Sequence, residues 1–182
     1  MKLGFNEAND RFCKNHSVMM DLELCEKYGF DCIDIQSECL NRDLEAGKIT
    51  LEEMGAWFQS PHLKMLSYNA LCFFNMKQTQ EEKDAVMAEL DEIIRRCNIL
   101  GCKMIVVVPS KDMKERGLTP TRKEIREDAV AVLKEMVKKC EPHGIRLSLE
   151  FCGEPSMTIN RFEDAYAIVE EVNSPLVGVT LD

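Results

Sequence analysis

Short apolar runs recur along this chain and alternate with longer segments in which apolar positions follow a helical period. The runs predict β-strands at residues 2–6, 32–36, 64–68, 103–108, 145–150 and 177–181. Runs of this length, apolar almost throughout, are typical of parallel strands that are covered on both faces. Strict alternation with helices predicts βαβ units joined by right-handed crossovers.

Helix starts are marked by capping boxes, in which a Ser, Thr or Asn side chain and a Glu three residues later satisfy unpaired backbone donors. The pattern occurs at Thr50/Glu53, Thr79/Glu82, Thr121/Glu124 and Asn160/Glu163, and Ser17 is a further N-cap candidate. Helix ends are marked by the glycines that take a left-handed conformation there, at Gly29, Gly101 and Gly144. These signals predict five helices between the six strands.

The alternation fits either an open doubly wound sheet or a TIM (β/α)8-type barrel. No GxGxxG follows the first strand, where the sequence reads NEAND, and this disfavours an open nucleotide-binding sheet. Polar residues recur at successive strand ends, which favours a barrel: Asn6, Glu7, Gln36, Asn69, Glu150 and Asp182. Because no linker or composition shift interrupts the chain, we predict one partial barrel domain over residues 1–182.

A complete barrel has eight units and about 250 residues, whereas these 182 residues hold about six strands and five helices. We expect the two C-terminal units to lie beyond residue 182. Without them the first and sixth strands would be open edges, which stable proteins avoid. We therefore expect a further segment, or another chain as in a homo-oligomer, along at least one of these edges.

Composition narrows the classes of partner. The formal net charge of -9 disfavours a nucleic-acid partner, since binding to phosphates rests on Lys and Arg. No apolar stretch approaches the roughly 20 residues that cross a bilayer, and the N-terminus lacks the apolar core of a signal peptide. We expect a cytoplasmic protein that binds neither a membrane nor a nucleic acid.

Nine cysteines stand at scattered positions: 13, 25, 32, 39, 72, 97, 102, 140 and 152. They form no CxxC pair and show no Cys/His pairing at zinc-finger spacing. An odd, scattered set favours a reducing compartment, in which buried thiols behave as small hydrophobic groups. His16, next to the first N-cap, and His62 and His143, which precede strands, are interpreted as surface or capping residues.

Glu150 and Asp182 are the strongest candidates for chemistry. Each closes an apolar strand, and the two strands are neighbours along the chain. Two carboxylates at adjacent strand ends predict a shared divalent cation, with oxygen ligands that suit Mg²⁺, Mn²⁺ or Zn²⁺. The alternative is that both carboxylates only cap loops or helices.

Asn6, Glu7 and Asn69 are candidates for substrate binding. An Asn at the mouth of a barrel can form hydrogen bonds to the hydroxyl groups of a polyol, which suits a polar small-molecule substrate. The alternative interpretation is that the asparagines form turns.

Five segments resemble a known family: residues 2–8 (KLGFNEA), 21–27 (DLELCEK), 69–74 (NALCFF), 149–153 (LEFCG) and 177–182 (VGVTLD). The chain resembles the sugar-phosphate isomerase/epimerase superfamily with xylose isomerase-like barrels, and within it particularly the inosose isomerase branch of inositol catabolism. The resemblance covers essentially all 182 residues.

The resemblance implies one divalent cation, with Mn²⁺, Mg²⁺, Zn²⁺ and Co²⁺ all compatible. In the family the ligands are a Glu on the fifth strand, an Asp on the sixth, a His on the seventh and a Glu on the eighth. Glu150 and Asp182 match the first two, whereas the other two and the His that usually follows the sixth-strand Asp have no counterpart here. The implied reaction is isomerisation or epimerisation of a keto-polyol through an enediolate, with Glu150 as the acid/base.

Two other functions stay open at this point. The chain is alternatively a catalytically silent partial barrel that acts as a scaffold or subunit. The superfamily also includes abasic-site endonucleases, which carry extra histidines at the barrel mouth, including one near the third strand. Here that strand ends in Tyr68-Asn69-Ala70, and the acidic charge further disfavours an endonuclease.

Overall fold

The apolar runs of the sequence form the strands of one sheet in a computed structural model, which describes residues 1–9, 11–13, 16–59 and 62–181. Its strands lie side by side in chain order and pair in parallel. They are β1 (Gly4–Asn6), β2 (Cys32–Gln36), β3 (Lys64–Cys72), β4 (Met104–Val108), β5 (Arg146–Glu150) and β6 (Val177–Thr180). The α-helices are α1 (Val18–Tyr28), α2 (Ser37–Glu45), α3 (Leu51–Phe58), α4 (Gln80–Leu100), α5 (Arg122–Cys140) and α6 (Phe162–Val172).

The prediction of six parallel strands is confirmed, and the largest boundary error concerns β3. This strand was predicted to end at residue 68 and continues to Cys72. Asn69 therefore lies inside the strand, opposite Gln36 of β2, rather than just beyond the strand's end. The error arose because the polar Ser67 and Asn69 interrupt the apolar run, although the backbone stays extended through both.

The prediction of five helices is wrong, since the described residues contain six α-helices. Two of them, α2 and α3, connect β2 to β3, where one was expected. The chain enters α2 directly from β2, and the N-cap Gln36 makes no side-chain hydrogen bond to the helix. Without a capping side chain, the start of α2 carried no signal in the sequence.

Most of the predicted caps are present. Thr50 and Thr121 form complete capping boxes, Thr79 accepts from the backbone of Glu82, and Ser17 caps α1. The box at Asn160 is wrong, because α6 begins after Arg161, whose side chain makes no capping bond. Each such cap typically contributes about 1 kcal/mol to helix stability. Gly29, Gly101 and Gly144 have the expected positive φ.

The chain divides into two compact units. The first comprises Met1–Asn69 with Arg95–Met104, and the second Ala70–Ile94 with Ile105–Asp182. The first has a buried core that includes Leu22, Ile33, Ile35, Leu40, Met54 and Leu63, and the second one that includes Leu90, Ile105, Leu133, Leu147, Leu149 and Ile168. That residues 1–182 form one domain stays a prediction.

Among the described residues, no helix is both long and apolar enough to cross a membrane.

Gly55 marks a place in the first unit where two helices approach each other closely. A Cβ atom built on Gly55 of α3 would lie 2.8 Å from the backbone oxygen of Ile99 in α4. A methyl group there would overlap with backbone, which cannot rotate away as a side chain can. Glycine at this position therefore allows α3 to pack against the end of α4.

We expect Gly55→Ala to lower the free energy of unfolding by about 1–2 kcal/mol. Overpacking typically costs about 1–3 kcal/mol, and a clash with a backbone oxygen falls in the upper part of that range, at about 2–3 kcal/mol, because backbone cannot rotate away. Alanine offsets about 1 kcal/mol of this cost through its higher helix propensity. Urea unfolding followed by circular dichroism measures the change. The control is Gly153→Ala, where an added Cβ meets nothing within 4 Å. An unchanged Gly55→Ala variant would show that the two helices separate at little cost.

Candidate functional site

Glu150 is the last residue of β5, as the sequence predicts. Its side chain is partly exposed, and its backbone pairs in register with Thr180 of the neighbouring strand β6. The hydroxyl group of Ser148, two residues before Glu150 in β5, forms a hydrogen bond of 2.6 Å with the hydroxyl group of Thr180 in β6. The carboxylate thus stands at the C-terminal end of β5, a strand that lies between β4 and β6 in the sheet.

Asp182, the second predicted ligand, lies outside the residues that the structure describes. Its predicted sharing of one cation with Glu150 stays a prediction. Glu150, the predicted ligand that the structure does describe, fits a divalent cation, since a partly exposed carboxylate oxygen suits Mg²⁺, Mn²⁺ or Zn²⁺.

Asn69 is held by a carboxylate that the sequence analysis overlooked. The side-chain amide of Asn69 donates to Oδ2 of Asp34 in β2, at 3.0 Å, and the Ser67 hydroxyl donates to Oδ1 of the same group. Burial raises the pKa of the Asp34 carboxyl, although the two hydrogen bonds oppose that change. Because an amide N–H of Asn69 donates to Asp34, the orientation of the amide is fixed, and so are the directions of its N–H groups and its oxygen.

Asp34 had one signal in the sequence, a charged residue in the middle of the apolar run CIDIQ. A buried carboxylate in a strand needs hydrogen-bond donors. Its donors lie 33 and 35 residues away, on β3, so the sequence alone did not identify them.

Asn6 is the last residue of β1 and Glu7 follows it, and both take part in local structure. Oδ1 of Asn6 accepts a hydrogen bond from the backbone N–H of Ala8 at 2.9 Å, as in a turn. Glu7 is fully buried, and its Oε2 accepts from the backbone N–H of Gln36 at 2.7 Å, where β2 meets α2. Roles for both in substrate binding stay predictions.

His16 is buried, so its interpretation as a surface or capping residue is wrong. Its Nε2 lies 2.8 Å from Oδ2 of Asp21 in α1 and 3.5 Å from Oε1 of Glu7. Its Nδ1 lies 2.9 Å from Nη2 of Arg42 in α2. Side chains from three segments of the chain thus meet at one imidazole. Asp21 lies only five residues from His16, but Glu7 and Arg42 are brought to it by the tertiary fold, so the local sequence did not indicate the cluster.

Cys39 of α2 belongs to the same buried cluster. The ligand atoms of Glu7, His16 and Cys39 all lie within 4.8 Å of one another. Burial and the nearby charge of Glu7 raise the pKa of the Cys39 thiol to about 11. Most of the other cysteines match the expectation for small hydrophobic groups, since Cys25, Cys32, Cys97, Cys102 and Cys140 are buried as well.

In the second unit, the segment that follows β3 is shaped by two residues with left-handed backbone, Phe73 and Met76. Positive φ is unusual for side chains of this size and persists only where the surroundings impose it. Asn75, fully buried between them, accepts from the backbone N–H of Ser110 at 2.7 Å and bonds to Thr158 at 3.3 Å. These bonds hold together the segments that follow β3, β4 and β5, and they leave Phe73 partly exposed.

Comparison with known proteins shows which family shares these features. A family model described as "Xylose isomerase-like TIM barrel" matches residues 22–182. Curated proteins named inosose isomerase, from Bacillus velezensis and Bacillus subtilis, are 37% and 38% identical to this chain over its whole length. The chain spans 62% and 63% of the length of these two relatives.

A solved structure of the IolI protein, described as having a binding zinc atom, resembles the chain over its full length. The TM-score is 0.91 at 38% sequence identity, and the match covers 63% of that structure's chain. A D-psicose 3-epimerase solved in the presence of D-fructose has a TM-score of 0.72 at 15% identity, covering 98% of this chain and 62% of its own. The second likeness concerns the fold alone.

Proposed function

Since this chain belongs to the xylose isomerase-like TIM barrel family, we propose that its protein is a metal-dependent isomerase of an inosose or a similar keto-polyol. Support for the substrate class comes from curated relatives named inosose isomerase, which are 36–38% identical across the whole chain. Because the chain spans less than two thirds of their length, the activity is proposed for the whole protein.

The observation that carries this proposal is the position of Glu150. Its carboxylate stands at the C-terminal end of β5, on the side of a barrel where catalytic groups are found. The pairing of Glu150 with Thr180 directs the end of β6 to the same edge of the sheet, with Asp182 two residues further along. A sheet that only stabilised a scaffold would not require a carboxylate at this position.

Glu150 and Asp182 are the residues that we propose would hold a divalent cation. When bound, such a cation polarises a substrate carbonyl and the neighbouring hydroxyl and so stabilises developing negative charge. The zinc atom of the related IolI structure supports a cation of this class. Carboxylate ligands accept Mg²⁺ and Mn²⁺ as well as Zn²⁺.

Glu150 is also the proposed acid/base. Isomerisation of a keto-polyol requires removal of a proton from the carbon next to the carbonyl and its return elsewhere. A carboxylate at the strand end is able to take that proton and to return it. The paired strands hold its backbone, which limits the loss of entropy when the group is aligned with the carbon.

Asn69 remains a proposed substrate-binding residue. The hydrogen bond to Asp34 uses one amide N–H and fixes the orientation of the group. The amide oxygen and the second N–H then have defined directions toward a hydroxyl group. Placement in the cytoplasm is likewise part of the proposal. It is supported by the buried thiols and by the lack of any disulfide bond among the nine cysteines, all of which lie in the described part of the chain.

The test is exchange of substrate C–H with deuterated water, measured by NMR on the purified protein with an inosose and Mn²⁺. We expect exchange that falls to background after treatment with a chelator and returns when Mn²⁺ or Zn²⁺ is added. Exchange that resists the chelator would contradict metal dependence. Protein that binds the metal but exchanges no inosose proton would contradict the substrate and would favour the scaffold function.

A further inference from the structure

Phe73, the first residue after β3, is held in a backbone conformation that its side chain disfavours. Its φ is 58°, in the left-handed region, where a bulky side chain crowds the backbone. The residue is 39% exposed, so burial of the ring offsets only part of this cost. Residues that keep such a conformation despite its cost cluster at functional sites. Phe73 is therefore a candidate for a role beyond the fold itself.

The shape of the turn does not account for a phenylalanine at this position. The backbone N–H of Phe74 donates to the backbone oxygen of Val108 in β4 at 3.3 Å, and the buried Asn75 bonds to Ser110. These bonds fix the path of the chain around residue 73 without using the Phe73 ring. Glycine is the residue that most readily takes a left-handed position. An aromatic ring at residue 73 thus needs another reason.

Lys111, in the loop after β4, places its ammonium group beside that ring. Its Nζ atom lies over the Phe73 ring, 5.9 Å from the centroid, which is near the outer limit of cation–π attraction. The backbone of Lys111 is fixed by an antiparallel bridge to Met157, with a backbone hydrogen bond on each side. The ion pair of Lys111 with Asp112 is 3.7 Å long, beyond hydrogen-bond length. The ammonium group therefore keeps N–H donors to offer to an oxygen of a ligand.

Phe73 and Lys111 stand at the edge of the sheet that carries Glu150. They follow β3 and β4, and Glu150 ends β5, and these three strands are neighbours in the sheet. The carboxyl ends of parallel strands lie at one edge, which is the catalytic side of a barrel. All three residues belong to the second unit. An apolar ring and a hydrogen-bond donor thus lie on the same side of the sheet as the proposed acid/base.

We infer that Phe73 and Lys111 form a substrate-binding pair that holds the ring of a cyclic keto-polyol. The inference rests on the proposed function and specifies how its substrate is held. The ring of an inosose has C–H bonds on its faces and hydroxyl groups around its rim. One face packs on the exposed part of the Phe73 ring, and the Lys111 ammonium donates to an oxygen at the rim. Small-molecule sites typically combine aromatic surface with a few well-placed polar groups in this way.

Contact between the substrate and the Phe73 ring is measured by NMR. The whole protein is deuterated except for its phenylalanine rings, and nuclear Overhauser effects between ring protons and the C–H protons of an inosose are recorded in ordinary water. We expect such effects from a ring whose resonances disappear in Phe73→Leu. The matched control is Phe162→Leu, which removes a similarly exposed ring that stacks on Tyr166 of α6. The control should keep the Overhauser effects.

The rate of proton exchange, measured over a range of inosose concentrations at saturating Mn²⁺, separates binding from chemistry. Phe73→Leu should raise KM about 2–10-fold, as expected for loss of an aromatic packing contact. Lys111→Met should raise KM about 10-fold, through loss of a charge-assisted hydrogen bond. In both variants kcat should change less than about twofold, because neither group moves the proton. Phe162→Leu and Lys123→Met, which alter exposed residues of α6 and α5, should leave KM unchanged.

Two further variants test whether the backbone of residue 73 is strained. Phe73→Gly and Phe73→Ala both remove the ring, and only alanine keeps the Cβ atom that a left-handed backbone crowds. We expect the glycine variant to unfold at a higher urea concentration than the alanine variant, and both to raise KM. An alanine variant at least as stable as the glycine variant would remove the strain on which the inference rests.

The outcomes distinguish this inference from the proposed function. Wild-type protein that exchanges inosose protons, but shows no Overhauser effect to Phe73 or an unchanged KM in both ring and ammonium variants, would overturn the inference alone. Protein that binds the inosose against Phe73 and exchanges none of its protons would support the inference and contradict the isomerase function. Protein that binds no inosose would contradict both.

Discussion

Glu150→Gln is expected to lower the rate of substrate C–H exchange by about 10²–10⁴-fold while leaving the protein folded. Glutamine preserves the size and shape of the side chain at the end of β5, so the pairing with Thr180 is retained. It removes the proton acceptor and the negative charge that would attract a cation. The effect therefore combines loss of the acid/base with weaker metal binding.

Loss of the acid/base and weaker metal binding are distinguished by measuring exchange at different metal concentrations. Exchange is measured by NMR in deuterated water over a range of Mn²⁺ concentrations. Loss of the acid/base persists at saturating metal, whereas loss of a ligand is partly restored there. Glu154→Gln is the matched control, since Glu154 is exposed in the following loop and contacts Ser156. Equal rates in the wild-type and Glu150→Gln proteins would remove Glu150 from the mechanism.

The strands were predictable because their signal is local. A parallel strand buried on both faces is apolar residue by residue, so the runs identified all six strands. Caps such as Thr50 and Thr121 worked for the same reason, because both partners lie within three residues. The helix α2 lacked such a signal: it has no capping side chain, and it follows β2 without a turn.

The candidate site divides in the same way. Glu150 was identified from the end of a strand, a feature of a few consecutive residues. Asp34 and His16 were not, because their environment is built by residues distant along the chain. His16 meets Arg42 from 26 residues away, and Asp34 meets Asn69 from 35 residues away. Burial of a polar group is a property of the tertiary fold, and a single sequence gives only weak signals of it.

Asp43→Ala is expected to lower the free energy of unfolding by about 2–4 kcal/mol. Asp43 is buried, and its Oδ2 accepts from the backbone N–H of Val18, the first residue of α1, at 2.9 Å. Alanine leaves that buried donor without its acceptor, which costs about 1–3 kcal/mol. Loss of the contacts with Arg42 and Lys48 adds up to about 1 kcal/mol each, since both cations are partly exposed.

The effect of Asp43→Ala should depend on pH in a defined direction. Burial alone would raise the pKa of the Asp43 carboxyl, but hydrogen bonds from Arg42, Val18 and Lys48 outweigh it and lower the pKa. A carboxyl with a lowered pKa stabilises the fold above its unfolded-state pKa of about 4, and this stabilisation is lost as the pH falls through the folded-state value. The difference between wild-type and variant should thus be constant near neutral pH and shrink below about pH 4.

Urea unfolding of the wild-type, Asp43→Ala and Glu45→Ala proteins at a series of pH values measures this difference. Glu45 is the control because it is an exposed carboxylate at the end of the same helix, α2. Its removal should change the free energy of unfolding by no more than about 0.5 kcal/mol at any pH. A loss in Asp43→Ala that matches the Glu45 control, or one that grows as the pH falls below about 4, would contradict the role of Asp43 in joining α2 to the start of α1.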